Sequence, residues 1–271
     1  MTKRASRSRC LRALACGVLA LALPLAAGAS DVGLAKSDPL YPVPAAEAPR
    51  GVTPNWIDHI DLYATGSQMI GQGGWEGWNG DPNVGALTTA AQARSAPNSI
   101  EVVGATDLVH QYAGYTSGTW TFTAWQYIPT GFTGQSYFIL LNTYPATVNG
   151  NWSFQVCADA AGGVVRDDVG GTCSGAGATL PLIFDQWVEI KVVVNLDTDT
   201  QTVTYGGQQL FNGPWSTHIS ATGGAVNIAA VDLFANTGTS VFYDDISLSN
   251  LSFLDGFESG DTREWHTTVA E

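Results

Sequence analysis

From Trp56 onward the chain is written in short runs rich in β-branched and aromatic residues, separated by Gly, Asn, Asp and Ser, with no long stretch of helical periodicity. The clearest runs are Thr119 to Ile128, Ser136 to Tyr144, Trp152 to Ala158, Trp187 to Leu196, Gln201 to Tyr205, Ala225 to Phe234 and Val241 to Leu248. Within the first of them Trp120, Phe122 and Ala124 fall on one face, and Thr121, Thr123, Trp125 and Tyr127 on the other. One face is core and the other is half polar. The segment Asp197-Thr198-Asp199-Thr200 joins two of these runs, and acids there serve a turn, where their oxygens accept from the backbone, better than they serve calcium. No internal repeat divides the region, so residues 55–250 predict one all-β domain, a two-sheet antiparallel sandwich.

The two ends follow other rules. Residues 1–29 hold Lys3, Arg4, Arg7, Arg9 and Arg12 and no acid, then an apolar run from Leu11 to Ala27 that ends in Ala27-Gly28-Ala29. That pattern predicts a cleaved signal peptide; an N-terminal membrane anchor is the competing reading, against which the run falls short of the ~20 residues a spanning helix needs. Residues 30–54 carry Pro39, Pro42, Pro44, Pro49 and Pro54 among small residues, which favours an extended linker, or a strap laid along the domain by Leu40 and Tyr41. No second stretch is apolar enough to span a bilayer, so the mature chain is expected outside the cytoplasm, in the periplasm or at the cell surface.

Charge narrows the partners. Only 13% of residues are charged and the formal net charge is −13, which becomes −18 once the five leader bases are removed. Such a surface repels phosphate backbones and anionic lipid, so neither nucleic acid nor a membrane is an expected partner. Leader removal also leaves two cysteines, Cys157 and Cys173, bracketing a Gly-rich stretch. In an exported chain a disulfide is the simplest reading, since no Cys or His stands beside either one at metal-ligand spacing.

Three segments taken in order carry a resemblance. Gly71-Gln-Gly-Gly-Trp75-Glu-Gly-Trp78, Trp187-Val-Glu-Ile-Lys-Val-Val-Val-Asn-Leu196 and Val241-Phe-Tyr-Asp-Asp-Ile246 resemble secreted bacterial jelly rolls of the concanavalin A-like (laminin G-like) class. The resemblance spans roughly Trp56 to Asn250. It implies a jelly-roll sandwich in an extracellular, often glycan-associated setting, in a class that includes lectin-like modules, lyases, hydrolases and domains without activity. It also implies a structural calcium between the terminal strands, for which Asp244 and Asp245, with Asp58 or Asp61 from the first strand, are the candidate ligands. The tail, residues 251–271, contains Asp255-Gly-Phe-Glu-Ser-Gly-Asp-Thr-Arg-Glu-Trp265, which resembles a terminal motif of exported bacterial proteins. It reads either as a sorting or processing signal or as a final strand docking Phe257 and Trp265.

Catalytic chemistry is sparsely represented. A retaining glycosidase needs two carboxyls about 5 Å apart, and no Glu-x-Asp pair on one strand supplies them. Glu189 is the best single acid: it shares a face with Lys191 and is expected to meet Gln155 from a neighbouring strand, although a solvated Glu–Lys pair is the better explanation of it. His59, His110, His218 and His266 stand outside the predicted central strands, and no Gly-x-Ser-x-Gly elbow appears. Binding chemistry is better represented, because sugar C–H faces stack on aromatic rings while hydroxyls pair with amides and carboxylates. Trp75 and Trp78 sit in a Gly-rich loop with Glu76, Asn79 and Asp81; they are either displayed for a ligand or plug one end of the sandwich. Asn142, Tyr144, Asn149 and Trp152 flank another loop and form a second candidate platform, or ordinary cross-strand packing. The expected function is non-catalytic binding of a carbohydrate or envelope polymer. A polysaccharide lyase or glycoside hydrolase using Glu189, and a structural surface protein without a small ligand, are the alternatives. No cofactor is implied beyond that calcium.

Overall fold

A computed structural model describes residues 55–145, 150–220 and 223–250; the leader, the linker and the tail lie outside the described residues, as does Asn149. The strands in chain order are β1 (Trp56–Asp58), β2 (Trp75–Gly77), β3 (Leu87–Thr89), β4 (Ser99–Val102), β5 (Asp107–Gln111), β6 (Thr119–Tyr127), β7 (Gln135–Thr143) and β8 (Asn151–Asp159). They continue with β9 (Val164–Asp167), β10 (Thr179–Pro181), β11 (Trp187–Asn195), β12 (Thr200–Tyr205), β13 (Gln208–Pro214), β14 (Ala230–Asn236) and β15 (Val241–Ser249). Among the described residues one 3₁₀ turn, Trp78–Gly80, is the whole helical content, and no helix is long and apolar enough to cross a membrane.

These strands form two antiparallel sheets. The first runs β13-β12-β11-β6-β15-β4-β3, with β1 also pairing with β15; the second runs β10-β9-β8-β7-β14-β5-β2. The alternation in the sequence is what closes them into a sandwich. Trp120, Phe122 and Ala124 of β6 and Val188, Ile190, Val192 and Val194 of β11 are buried on the inward face of the first sheet. They meet Phe138 and Leu140 of β7, Phe154 and Val156 of β8 and Val231 and Leu233 of β14 from the second. Polar residues on the inward face use their donors: Gln126 donates to the Tyr243 hydroxyl at 2.7 Å, and Gln201 donates to the carbonyls of Ser153 and Pro214, while the Oε1 of each is buried without a partner. The region before Ala230, expected to be strand from Ala225, is irregular, and β14 begins only where Ala230 pairs with Gln111 and Leu141.

The Asp-rich segment is a turn. Asn195 Oδ1 accepts from the backbone N–H of Asp197 and Thr198, Asp197 accepts from Gly118, and Asp199 accepts from the N–H and hydroxyl of Ser216. Cys157 on β8 is bonded to Cys173, which ties the Gly-rich loop after β9 onto the outer side of the second sheet.

Candidate functional site

The outer face of the second sheet departs from the usual apolar-in, polar-out rule. Val109 of β5, Tyr137, Ile139 and Leu141 of β7, Cys157 of β8 and Ala230 of β14 form a second buried apolar cluster there, with Cys173. Three aromatic residues from different parts of the chain lie over it half-buried: Trp78, Tyr144 and Trp152. The Trp78 ring centroid lies 5.8 Å from Trp152 at 32° and 5.2 Å from Tyr144 at 63°. Nearby, Tyr137 and Phe234 stack at 5.4 Å on the same side of the sheet.

Local sequence places each ring. A Cβ on Gly77 would overlap the carbonyl oxygen of Asp81, so glycine is what lets the chain turn from β2 into the 3₁₀ turn that carries Trp78. The backbone N–H of Asn79 then donates to the Tyr144 hydroxyl at 2.8 Å, fastening the turn to the end of β7. Burial pushes the Tyr144 hydroxyl up to about 12. Trp152 is held by Ser220, whose hydroxyl accepts from the Trp152 N–H at 3.0 Å and whose own N–H donates to the Trp152 carbonyl.

Acidic side chains border this shelf. Asp107 of β5 and Asp232 of β14 lie on the outer face, where Asp232 is opposite Val109 and Asp107 is opposite Phe234. The two carboxyls share a hydrogen bond, and burial holds both above the ordinary carboxylate range, Asp232 well above it. Asp232 is 2% exposed, and one oxygen of each carboxyl is buried without a hydrogen-bond partner. Two neighbouring buried carboxylates repel, so one proton shared between them is the favoured state. Glu76 of β2 accepts from the Gln111 side chain at 2.6 Å, and Glu76, Asp232 and Asp107 all raise the Tyr144 hydroxyl by their charge. Asp81, in the exposed loop after Trp78, raises Asp107 in the same way.

Of the residues singled out in the sequence, Trp78, Tyr144 and Trp152 come together on this face. Trp75 does not: it is 1% exposed in the core between the sheets, its Nε1 donating to Asp58 at 2.9 Å and its ring packed edge-on against Trp56 and His110. Asn142 is fully buried, donating to Asn151 and Ser153 at 2.8 and 2.7 Å beneath the shelf rather than on it. The acid pair was missed in the sequence because Asp107 and Asp232 are 125 positions apart and meet only through the pairing of β5 with β14.

Glu189 lies on the other sheet. β11 pairs with β6 and β12, so Glu189 faces Trp125 and forms a partly exposed ion pair with Lys191 at 3.1 Å, while Gln155 belongs to the second sheet and donates to Asp168. The four candidate calcium ligands do not fit a cation. β1 does pair with β15, but a bulge with Asp245 at φ 45° breaks the alternation and turns Asp244 and Asp245 toward the same loop. There Asp244 accepts from the N–H groups of Arg94, Ser95 and Asp245, and Asp245 accepts from the Arg94 guanidinium, the Ser95 hydroxyl and His59. Asp58 accepts from the Ile60 N–H, the Tyr63 hydroxyl and Trp75, and Asp61 accepts from the Asn98 N–H. Calcium takes six to eight oxygens, whereas these carboxylates are surrounded by hydrogen-bond donors and an arginine that itself stacks 3.8 Å over Trp125. Among the described residues no group of three or more His, Cys, Asp or Glu side chains is gathered as a metal site.

No family model matches the chain, and no curated protein does. Solved structures to which it is similar include the cellulose induced protein Cip1, at 14% identity and a TM-score of 0.45 over 72% of this chain and 90% of that one. A sialidase is similar at 8% identity and 0.45 over 69% of this chain and 18% of that one. A carbohydrate esterase from the Shiga toxin-encoding bacteriophage phi24B is similar at 12% identity and 0.42 over 65% and 89%. Likenesses at this level carry no functional argument.

Proposed function

We propose that this protein is an extracytoplasmic sandwich of the concanavalin A-like kind that binds a polysaccharide or other envelope glycan, without cleaving it, on the outer face of its second sheet. The observation that carries this reading is the gathering of Trp78, Tyr144 and Trp152, half-buried, with the Trp78 ring against both of the others, beside the carboxyls of Asp107, Asp232 and Glu76. Apolar rings left partly in water are costly unless used, and sugar rings present the C–H faces that stack on them. The carboxyls, the Tyr144 hydroxyl and the Gln111 amide supply the acceptors and donors that sugar hydroxyls need. The basic leader followed by Ala27-Gly28-Ala29 supports export, which places the domain where such polymers occur.

The test is a pull-down of residues 30–271 on insoluble cellulose, chitin, xylan and peptidoglycan, with the supernatant assayed for released sugar. Binding without release, reduced at least tenfold in Trp78→Ala or Trp152→Ala with unfolding midpoints retained, is the expected result. Sugar release that depends on Asp107 or Asp232 would replace the binding reading with a hydrolytic one. Retention that is indifferent to both tryptophans would remove this face from the function.

A further inference from the structure

Among the described residues the charged groups bordering the shelf are of one sign. Asp107 and Asp232 share a hydrogen bond on the sheet face, Glu76 lies on the adjacent strand, and Asp81 follows Trp78 by three residues. Asp232, on the outward side of β14, is 2% exposed and has one buried carboxyl oxygen that no donor among the described residues reaches. Among the described residues neither carboxyl of the Asp107–Asp232 pair has a cationic partner, so the negative charge that the pair keeps when it shares one proton is left for a ligand's cation to offset.

Among the described residues no cationic side chain meets it. Among the described residues the basic side chains besides histidine are Arg94, Arg166 and Lys191. Arg94 is paired with Asp245 and Lys191 with Glu189, both on the first sheet. Arg166 stands on β9, opposite Cys157, and donates to the carbonyl of Gly175 in the disulfide-tied loop. From β9 to β5 is four strand spacings, about 19 Å, roughly two screening lengths at physiological salt. His110 on β5 points into the core, and burial lowers it to about 4, so it carries no charge at neutral pH. A uronate or sulfated glycan laid over these rings would bring further negative charge to an acidic border. An ammonium group would be attracted both by the carboxylates and by the faces of Trp78, Trp152 and Tyr144.

We propose, building on the glycan-binding reading above, that the ligand is a polysaccharide bearing free amino groups, whose rings stack on Trp78, Tyr144 and Trp152 and whose ammonium groups are held by Glu76, Asp81 and the Asp107–Asp232 pair. The shelf supplies affinity for a sugar chain of any charge, and the acids select among such chains.

The experiment compares binding of four soluble hexasaccharides to the mature chain at pH 6 by calorimetry: glucosamine, N-acetylglucosamine, glucose and uronic acid oligomers, each at low and at 1 M salt. The glucosamine oligomer should bind about tenfold more tightly than its N-acetylated form at low salt, with the difference falling to within about twofold at 1 M. Glu76→Gln combined with Asp107→Asn should abolish that preference, bringing the glucosamine oligomer to within about twofold of its N-acetylated form, whereas Trp78→Ala should weaken binding of all four oligomers. Asp107→Asn removes one of two adjacent acids and is not expected to unfold the domain; Glu76→Gln alone, at the partly exposed position, is the second variant. Equal affinity for charged and neutral oligomers with dependence on Trp78 would overturn the amino-sugar inference and leave the binding reading standing. Preference for the uronate oligomer would also overturn it. Absence of binding to every oligomer and to the insoluble polymers would overturn both.

Discussion

At the scale of single residues, the two tryptophans of one short motif have opposite duties. Trp75 and Trp78 are three positions apart, yet one is sealed between the sheets with its N–H on Asp58 and the other lies half-buried over the second sheet. Trp75→Ala removes a fully buried ring from a packed core and is expected to cost about 3–5 kcal/mol in urea unfolding. Trp78→Ala should cost no more than about half that, and its main effect should be on retention by polysaccharide. A Trp75→Ala protein as stable as the parent would refute the core assignment. The acid pair gives a pH prediction. Burial, and for Asp232 also the neighbouring Asp107, raises both carboxyls in the folded state above the ordinary value of 3.8. The folded chain therefore binds more protons than the unfolded one above that value, so these groups make stability fall as pH rises toward and through the raised folded values. Asp244, raised to about 8 by burial and by Asp245, adds to the same trend. Asp232→Asn should flatten the decline of melting temperature between pH 4 and 8; a slope unchanged by it would contradict the shared-proton description.

At the scale of elements, loops and a bulge decide what the regular strands present. The disulfide closes a loop with a sequence separation of 16 and anchors it to β8 beside the shelf. Its reduction should lower stability by about 3 kcal/mol, on a chain-entropy account, read as the shift of the urea midpoint with and without reductant. Gly77→Ala should displace the turn that carries Trp78, weakening glycan retention much as Trp78→Ala does while β2 stays in place. The bulge in β15 brings two successive acids onto one loop and into contact with His59 and Arg94. His59 is raised in the folded state chiefly by its hydrogen bond to Asp245, so its contribution is present below its ordinary value of 6.5 and is lost as pH rises through the folded one. His59→Gln should remove that part of the pH dependence without affecting binding on the other sheet.

At the scale of the molecule, the sandwich leaves one sheet with apolar residues on both faces. β7 contributes Phe138 and Leu140 to the core between the sheets and Tyr137, Ile139 and Leu141 to the outer cluster, so seven consecutive positions of that strand are buried. A sheet with two apolar faces must cover the second one, and here half-buried aromatics from the turn after β2, from the residue after β7 and from β8 do so. The formal charge of −13 favours an amino polymer over an acidic one at a distance as well as at the site. Retention on an amino-bearing polymer should fall steeply with added salt, and retention on cellulose should not.

The class of fold and seven of the fifteen strands, β6, β7, β8, β11, β12, β14 and β15, are legible in the sequence. A period of two in Thr119–Tyr127 and Trp187–Asn195 follows from the backbone, because successive side chains of a strand point to opposite faces and only one face of these strands is apolar. Glycines, asparagines and acids punctuate it by the same local rules, as the Asn195–Thr200 turn shows. It also singled out Trp78, Tyr144 and Trp152 as aromatics worth explaining, since a ring beside turn residues is visible in one dimension. That these three meet while Trp75 and Asn142 do not, that Glu189 and Gln155 belong to different sheets, and that Asp107 finds Asp232 follow from the packing of the whole domain. The physical reason is that strand order in an antiparallel sandwich is set by packing the whole set of apolar faces at once, so neighbours across a sheet are distant in sequence and carry no local signal of each other.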